Sequence, residues 1–268
     1  EVFDLLRGGD PTRVVQVNHP RDASLGFFAL IDLDPVTLTA RADPADLGLP
    51  GADLNDFGFD AIEVANTKTA GLFEAAFADW LAFLAAGYPV VGTGSSDSHG
   101  DDTFAGSART FVWVGSGNDD PATIDSGALN TAILAQHVVV SQGVFVTASL
   151  LDPNTQIPSL PGDLVDFSAH TTATLRIRVQ APPWAKTASI QIYERTTSIG
   201  QIALDPNDTT VVRYTGGDLV LPLAGVDTFF VVRVNAGGVA SPVFDYVPEP
   251  SFTNPLYVDR NGDGVFTP

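Results

Sequence analysis

The sequence of 268 residues carries a formal net charge of −19 at pH 7, because 27 aspartates and 5 glutamates face only 2 lysines and 11 arginines. Such a charge repels nucleic acids and anionic membranes, and no apolar run approaches the roughly 20 residues that span a bilayer. Cysteine is absent, which excludes disulfides, thiolate ligands and cysteine nucleophiles. This composition favours an exported bacterial protein (secreted, periplasmic or at the cell surface), and the lack of methionine favours a processed chain.

The first 58 residues predict one short helix, one strand and a long connection. The β-run 13–20 ends at His19, and the proline that follows predicts an extended backbone at that histidine. Residues 26–58 contain scattered aspartate, glycine and proline, which predicts an irregular loop of the functional or covering kind.

Residues 59–150 alternate strands with helices, the pattern of parallel βα units. The apolar residues of 70–86 recur at helical spacing and predict an amphipathic helix that stops at Gly87. A second helix is expected over 125–136. The strands expected here are 59–66, 89–95, 109–114, 138–141 and 144–148.

From about residue 160 the pattern changes to alternating apolar and polar residues between Gly, Asp and Pro turns. This pattern predicts an antiparallel β-sandwich over 160–247, after a linker at 151–161 and before a tail at 248–268. The fold class is therefore α/β plus all-β, with residues 1–150 as the α/β domain. The sandwich strands expected are 175–179, 189–193, 210–214 and 229–234.

Several polar side chains follow the predicted strands of the α/β region. Asp97 and His99 stand two positions apart after a strand, so an extended backbone would point both to one side. His19 follows another strand, and Glu63 and Asn66 close a third. Because parallel strands end at one rim, these groups are expected to gather there, where imidazole and carboxylate suit zinc, iron or manganese.

Other interpretations of these residues stay open. In the metal-site interpretation, the small residues of 94–100 leave room for a ligand. The same residues also fit an ordinary Ser/Asp/Gly turn with a surface histidine. His19 alone fits a capped strand end. A serine nucleophile (Ser95, Ser96 or Ser98 with His99) is imaginable, but the Gly-x-Ser-x-Gly elbow is absent.

A series of segments, in this order, resembles the PHP superfamily (polymerase and histidinol phosphatase type), and most closely its carbaryl-hydrolase-like CehA/McbA branch. The resemblance covers nearly the whole chain. The segments are Val-Asn-His-Pro-Arg (17–21), Phe-Asp-Ala-Ile-Glu-Val-Ala-Asn (59–66), Gly-Ser-Ser-Asp-Ser-His (94–99), Ala-Arg-Thr-Phe-Val (108–112), Val-Ser-Gln-Gly-Val-Phe-Val (140–146) and Thr-Asn-Pro-Leu-Tyr-Val-Asp (253–259).

The resemblance implies a distorted (β/α)7 barrel with two or three metal ions that hydrolyses phosphoesters or carboxyl and carbamate esters through metal-activated water. It implies that His19, Asp97 and His99 are metal ligands. Arg109 would face substrate, although a strand-flanking salt bridge explains it equally well. The residues expected to support the ligands from behind are Glu63, Asn66 and Asn18.

The early His-x-His motif of that family does not occur in this sequence. The chain therefore resembles the C-terminal portion of such a barrel. An open half-barrel would leave strand edges unpaired, so we expect an N-terminal fragment of the same precursor to complete the fold and the metal shell.

The segment Asp259-Arg-Asn-Gly-Asp-Gly-Val265 matches the first half of an EF-hand calcium loop. Oxygen ligands are expected from Asp259, Asn261, Asp263 and the carbonyl of Val265, with glycine at the sixth position. Position 12 of the loop lies beyond the sequence, so another carboxylate would have to close the shell. A plain Asp-Gly turn is the alternative.

The main hypothesis is therefore a metal-dependent hydrolase of phosphoester or other ester bonds. The alternative is a non-catalytic extracellular or cell-surface protein, in which a degenerate PHP half and a β-sandwich serve assembly through calcium. A small ester substrate is expected as partner in the first case, and neither nucleic acid nor a membrane span in either.

Overall fold

The structure is a computed structural model that describes residues 2–101, 105–118, 120–238 and 250–268, without the side chains of residues 68–70. It is a mixed α/β fold in which sheet dominates. Its helices are α1 (Val2–Arg7), α2 (Phe27–Leu30), α3 (Phe73–Ala85) and α4 (Ser126–Leu134), with a 3-10 helix at Thr67–Leu72. Its strands are β1 (Gln16–Val17), β2 (Leu33–Asp34), β3 (Thr39–Ala40), β4 (Ala61–Asn66), β5 (Val91–Ser95), β6 (Arg109–Val112), β7 (Val138–Ser141), β8 (Phe145–Leu151), β9 (Leu164–Asp166), β10 (Thr172–Gln180), β11 (Thr187–Glu194), β12 (Thr197–Ala203), β13 (Val212–Tyr214), β14 (Leu219–Pro222), β15 (Thr228–Ala236), β16 (Ser251–Thr253) and β17 (Leu256–Asp259).

A parallel sheet with the order β1-β4-β5 carries the polar strand ends. Every residue of β4 is buried, as expected for a parallel strand that is covered on both faces. The predicted parallel βα arrangement is thus confirmed for these strands. Among the described residues, this sheet has three strands and does not close into a barrel.

Helix α3 covers this sheet, and its predicted position is confirmed. It begins at Phe73, ends at Ala85 and is followed by Gly87 at a φ of 89°. The indole of Trp80 is fully buried and its Nε1 donates to the carbonyl of Val90 at 2.9 Å. This bond ties the helix to the start of β5.

The segment 26–58 is less irregular than the sequence suggests. It contains α2 and a hairpin of β2 with β3, and it buries Phe28, Ile31 and Leu33 against the same core as α3. Its function as a cover for the parallel sheet follows from this burial.

Two larger sheets form the rest of the molecule. Strand β10 pairs with β8 on one side and with β13 and β14 on the other. The second sheet has eight strands, in the order β12-β11-β15-β16-β7-β6, with β17 beside β15 and β9 beside β17. Buried residues of both sheets form one apolar cluster, so the two sheets share a core.

Strand β15 is the centre of this arrangement, because both its faces are buried. Phe229 and Val231 belong to the cluster around α3, whereas Phe230, Val232 and Val234 belong to the cluster between the sheets. The eight-stranded sheet therefore lies between α3 and the β8–β10 sheet.

The predicted domain limits cut through shared sheets. Strand β8 crosses residue 150 and pairs with β10, and β6 and β7 belong to the eight-stranded sheet together with β11 and β15. The first two predicted domains are therefore joined by continuous hydrogen bonding.

The side chain of Asn254 forms hydrogen bonds to the backbones of β5 and β7, which belong to different sheets. It is fully buried; its Oδ1 accepts from the amide of Gly92 at 2.8 Å, and its Nδ2 donates to the carbonyls of Gly92 and Val138 at 2.9 and 3.2 Å. Asn254 thereby connects β5 of the parallel sheet to β7 of the eight-stranded sheet.

None of the helices in the described part of the chain is long and apolar enough to span a bilayer.

Candidate functional site

The polar residues predicted at the strand ends gather at one edge of the parallel sheet. His19 follows β1, Glu63 and Asn66 lie on β4, and Asp97 and His99 follow β5. Because β1, β4 and β5 run parallel, their carboxyl ends meet there. We call these five residues the strand-end cluster.

Glu63 holds the cluster together. Its side chain is 2% exposed, and its Oε2 accepts from the backbone amide of His19 at 2.7 Å and from Nδ2 of Asn66 at 2.8 Å. The hydroxyl of Ser95 donates to the other oxygen. Three donors, from the turn after β1, from β4 and from β5, therefore satisfy this buried carboxylate. From the sequence, Ser95 was interpreted only as a candidate serine nucleophile.

Asp97 and His99 form a direct contact, with His99 Nε2 and Asp97 Oδ1 2.7 Å apart. Burial is the largest influence on the pKa of Asp97 and acts to raise it. Hydrogen bonds from His99 and Asn66, together with the charges of His99 and His19, outweigh burial and lower that pKa. Asp97 is therefore ionised at neutral pH.

The backbone prediction for this pair is wrong although the contact is right. Asp97 has a φ of 48°, which is left-handed rather than extended, and aspartate tolerates this region better than most residues. The turn, rather than strand alternation, brings Asp97 and His99 together.

His19 also departs from the predicted extended backbone, because its φ is 33°. Its amide donates to Glu63 and its carbonyl accepts from the amide of Asp22 at 2.9 Å, so tertiary bonds and a tight turn override the effect of Pro20. The ring Nδ1 of His19 is buried and lacks a hydrogen-bond partner among the described residues.

The glycines of β5 serve packing. A Cβ on Gly92 would stand 2.8 Å from the Trp80 ring, and a Cβ on Gly94 would stand 2.6 Å from Cγ1 of Val140. These two glycines allow close contact with the neighbouring layers. That the small residues around Asp97 and His99 leave room for a ligand stays a prediction.

Arg21 fixes the loop that carries His19, a role that sequence reasoning missed. Its Nε and Nη2 each donate to Asp79 at 2.6 Å, and Nη2 also donates to the carbonyl of Leu33 at 3.1 Å. Asp79 lies on α3 and is 1% exposed. Asp79 is a carboxylate on the buried, otherwise apolar face of α3, and this feature of the sequence could have predicted a buried partner for it.

The structure places Arg109 and Asn18 away from these bonds. Arg109 begins β6 and is exposed, and no hydrogen bond or ion pair of its side chain is found in the described ranges. Asn18 is exposed and accepts from Nε2 of Gln16 at 2.7 Å. The roles predicted for both residues stay predictions.

The strand-end cluster is not arranged as a ready metal site. Within the described ranges, no group of three or more His, Asp or Glu side chains is placed to hold a metal ion. Its donor types nevertheless suit a divalent transition metal, and the buried Nδ1 of His19 is a nitrogen that such an ion would satisfy.

The tail loop folds around Asp259, which is 2% exposed. Its carboxylate accepts from the amides of Asn261, Gly262 and Gly264 at 3.1, 2.6 and 2.8 Å. Nδ2 of Asn261 donates to Asp263 at 3.0 Å, and the amide of Val265 donates to Asp263 at 2.8 Å.

A further carboxylate lies beside this loop. Asp166 of β9 pairs in register with Asp259, and its Oδ1 is 3.9 Å from the position that a Cβ on Gly262 would take. Sequence reasoning required another carboxylate to close the shell but did not identify Asp166.

No family model, no curated protein and no solved structure matches the chain.

Proposed function

We propose that the strand-end cluster is the active site of a metal-dependent hydrolase acting on phosphoester or carboxyl and carbamate ester bonds. The observation that carries this proposal is one hydrogen-bonded group of His19, Glu63, Asn66, Asp97 and His99 at the ends of three parallel strands. Such edges are where α/β folds place their ligands.

The residues of the cluster fit a zinc, manganese or iron ion by donor type. His19, Asp97 and His99 would hold it, with the buried Nδ1 of His19 as the free nitrogen. The bond between Asp97 and His99 occupies atoms that a ligand set needs, so this pair would have to separate on binding. A bound ion would supply Lewis acidity, which lowers the pKa of water and polarises an ester oxygen.

The protein residues would position and charge the site. Glu63 fixes the turn at His19 and the end of β5, and Asn66 orients Asp97. Asp97 stays ionised at neutral pH and repels other anions unless a cation is present. The side chain of His99 is 71% exposed, so substrate would reach the proposed ion from the solvent side.

The resemblance to the PHP superfamily supports a distorted-barrel ancestry and a β-sandwich behind it. Strand β1 has two residues and one neighbour among the described strands, so its other edge would accept a further strand. We propose that an N-terminal segment of the precursor pairs there and brings the remaining metal ligands.

Metal titration by calorimetry tests the ligand set directly. Zinc and manganese should bind the protein, and His19→Ala and Asp97→Ala should each weaken binding by about tenfold or more. The matched control is His170→Gln, which removes a histidine outside the cluster and should leave binding unchanged. Equal binding by all four proteins would contradict the proposed site.

Activity is tested with bis-p-nitrophenyl phosphate, p-nitrophenyl acetate and 1-naphthyl N-methylcarbamate in the presence of the bound metal. We expect the wild type to hydrolyse one of these substrates and the Asp97→Ala variant to lose that activity. The substrate that is hydrolysed identifies the class of ester. Metal binding without hydrolysis of any would reject catalysis by the chain alone and favour a site completed by another segment.

The alternative function, calcium-dependent assembly outside the cell, is favoured by Asp166 beside the tail loop. Calcium held by Asp259, Asn261, Asp263 and the carbonyl of Val265 would fasten the tail. Calcium should then raise the midpoint of thermal unfolding relative to EDTA, in the wild type but not in Asp263→Ala. Magnesium at equal concentration serves as the control, and an equal shift by both ions would contradict a specific site.

A further inference from the structure

A cavity of about 540 Å³ opens where β6 and β7 face the outer surface of the β8–β10 sheet. Its volume lies in the range of small-molecule sites. None of the strand-end cluster lines it, so it is independent of the proposed hydrolase site. Its lining includes Phe111, Trp113, Phe145, Thr147, Arg176 and Arg178.

The cavity has an aromatic wall that is open to solvent. Phe111 and Trp113 are 42% and 54% exposed, and the rings of Phe111 and Phe145 meet edge to face with centroids 5.0 Å apart. Large aromatic side chains concentrated at an accessible cavity mark binding surfaces more often than scattered apolar residues do.

Two arginines of β10, Arg176 and Arg178, also line the cavity. Arg176 is already bound in parallel by Asp218, with Nε to Oδ1 at 2.8 Å and Nη2 to Oδ2 at 2.9 Å. Arg178 pairs in register with Thr147 of β8, is exposed, and has no carboxylate within ion-pairing distance among the described residues. In a chain with a net charge of −19, the charge of Arg178 is thus left without a carboxylate beside the aromatic wall.

We propose that this cavity binds a small aromatic carboxylate. The ring of the ligand packs against Phe111, Phe145 and Trp113, and its carboxylate accepts hydrogen bonds from the guanidinium of Arg178. Arginine suits this role because its fork of donors matches a carboxylate. The acidic surface elsewhere repels such an anion, so the charge of Arg178 selects this location.

Calorimetric titration with 2-naphthoate tests the proposal, and 2-naphthalenemethanol serves as the neutral probe of the same shape. The wild type should bind 2-naphthoate with one site and the alcohol about tenfold more weakly, since a charged hydrogen bond contributes that factor or more. Arg178→Gln should lower the affinity for 2-naphthoate to that for the alcohol. Trp113→Ala should weaken both probes.

Arg13→Gln is the matched control, because it removes an exposed arginine outside the cavity and should leave both affinities unchanged. Unfolding midpoints of all variants confirm that the fold is retained. The proposal would be overturned if the two probes bound with equal affinity, or if Arg178→Gln left the binding of 2-naphthoate unchanged. Either result would mean that the cavity binds aromatic rings without recognising a carboxylate. Absence of a binding isotherm with the probes at about 1 mM, which would place the dissociation constants above about that concentration, would overturn it as well.

Discussion

Arg21 and Asp79 form an ion pair next to the turn that carries His19, and the side chain of Asp79 is 1% exposed. Burial raises the pKa of Asp79, while the guanidinium of Arg21 offsets part of that rise. A raised carboxyl pKa means that the ionised form opposes folding at neutral pH, so Asp79 depends on its partner. The pair holds the turn at His19 against α3.

Removing Arg21 should therefore be costly. We expect Arg21→Ala to lower the free energy of unfolding by about 3–5 kcal/mol, because it leaves a buried carboxylate unpaired. Urea unfolding at pH 7 measures the loss. Arg13→Ala, which breaks the exposed pair with Asp10 at 3.7 Å, should cost less than about 1 kcal/mol; equal losses would contradict the argument.

Asp97 gives the cluster a defined pH dependence. Its pKa is lowered in the folded state, so its contribution to stability is present above the unfolded pKa of about 3.9 and is lost as the pH falls through the folded value. The difference in unfolding free energy between wild type and Asp97→Asn should be present at about pH 5 and shrink below about pH 4. Urea unfolding at several pH values from about 5 downwards checks it, and a difference that grows below about pH 4 would refute it.

At the residue scale the sequence identified which side chains meet but not how. Asp97, His99, Glu63 and Asn66 could be predicted, because polar residues after parallel strands share a rim. The left-handed backbone at His19 and Asp97 could not, since it depends on bonds from distant residues such as Glu63. The unpaired Nδ1 of His19 is visible only in three dimensions.

At the scale of elements, the side chain of Asn254 provides hydrogen bonds between β5 and β7 that a strand's backbone would otherwise provide. Three buried hydrogen bonds give both its Oδ1 and its Nδ2 partners, and two of the three require Nδ2 as donor. Sequence patterns cannot reveal such a substitute, because one asparagine between two short strands resembles an ordinary turn residue.

The substitution Asn254→Asp keeps the shape of the side chain but removes its Nδ2 donor, so it tests the hydrogen bonds rather than the packing. The carboxylate cannot donate to the carbonyls of Gly92 and Val138 and is itself buried, so the free energy of unfolding should fall by at least about 3 kcal/mol. Asn207→Asp adds the same charge at an exposed position and should change it by less than about 0.5 kcal/mol. Urea unfolding at pH 7 compares them; similar small losses would show that Asn254 is not a structural link.

The strands that sequence reasoning found and those that it missed differ in length and surroundings. Long strands such as β10, β11 and β15 could be predicted from their apolar residues. Short strands such as β16 and β17, with three and four residues, give no periodic signal. Strand β15 looked like part of a one-sided sheet, yet it is buried on both faces, because its position between two layers is a tertiary property.

At the scale of the whole molecule, the excess of aspartate acts on stability. A net charge of −19 produces mutual repulsion in the compact state, and salt screens exposed charges over about 10 Å at 0.1 M. The charge could be predicted from the sequence, and so could the change from an α/β pattern to an all-β pattern along the chain. That strands of both regions belong to the same sheets could not.

Raising sodium chloride from about 0.02 M to about 0.2 M should therefore raise the midpoint of thermal unfolding by a few degrees. Scanning calorimetry in the presence of EDTA measures the shift without calcium. Sucrose of equal osmolality is the control for general solute effects. A midpoint that falls with salt would mean that attractive surface pairs outweigh the net repulsion.

The link through Asn254 has a consequence for the order of events during synthesis. A nascent chain presents β4, β5 and the strand-end residues to the cell long before the ribosome adds residues 252–254, and until then the backbone of β5 at Gly92 has no asparagine to bind it. The parallel sheet that carries the strand-end cluster therefore gains its hydrogen bonds to Asn254 only after that distant stretch of chain has been synthesised.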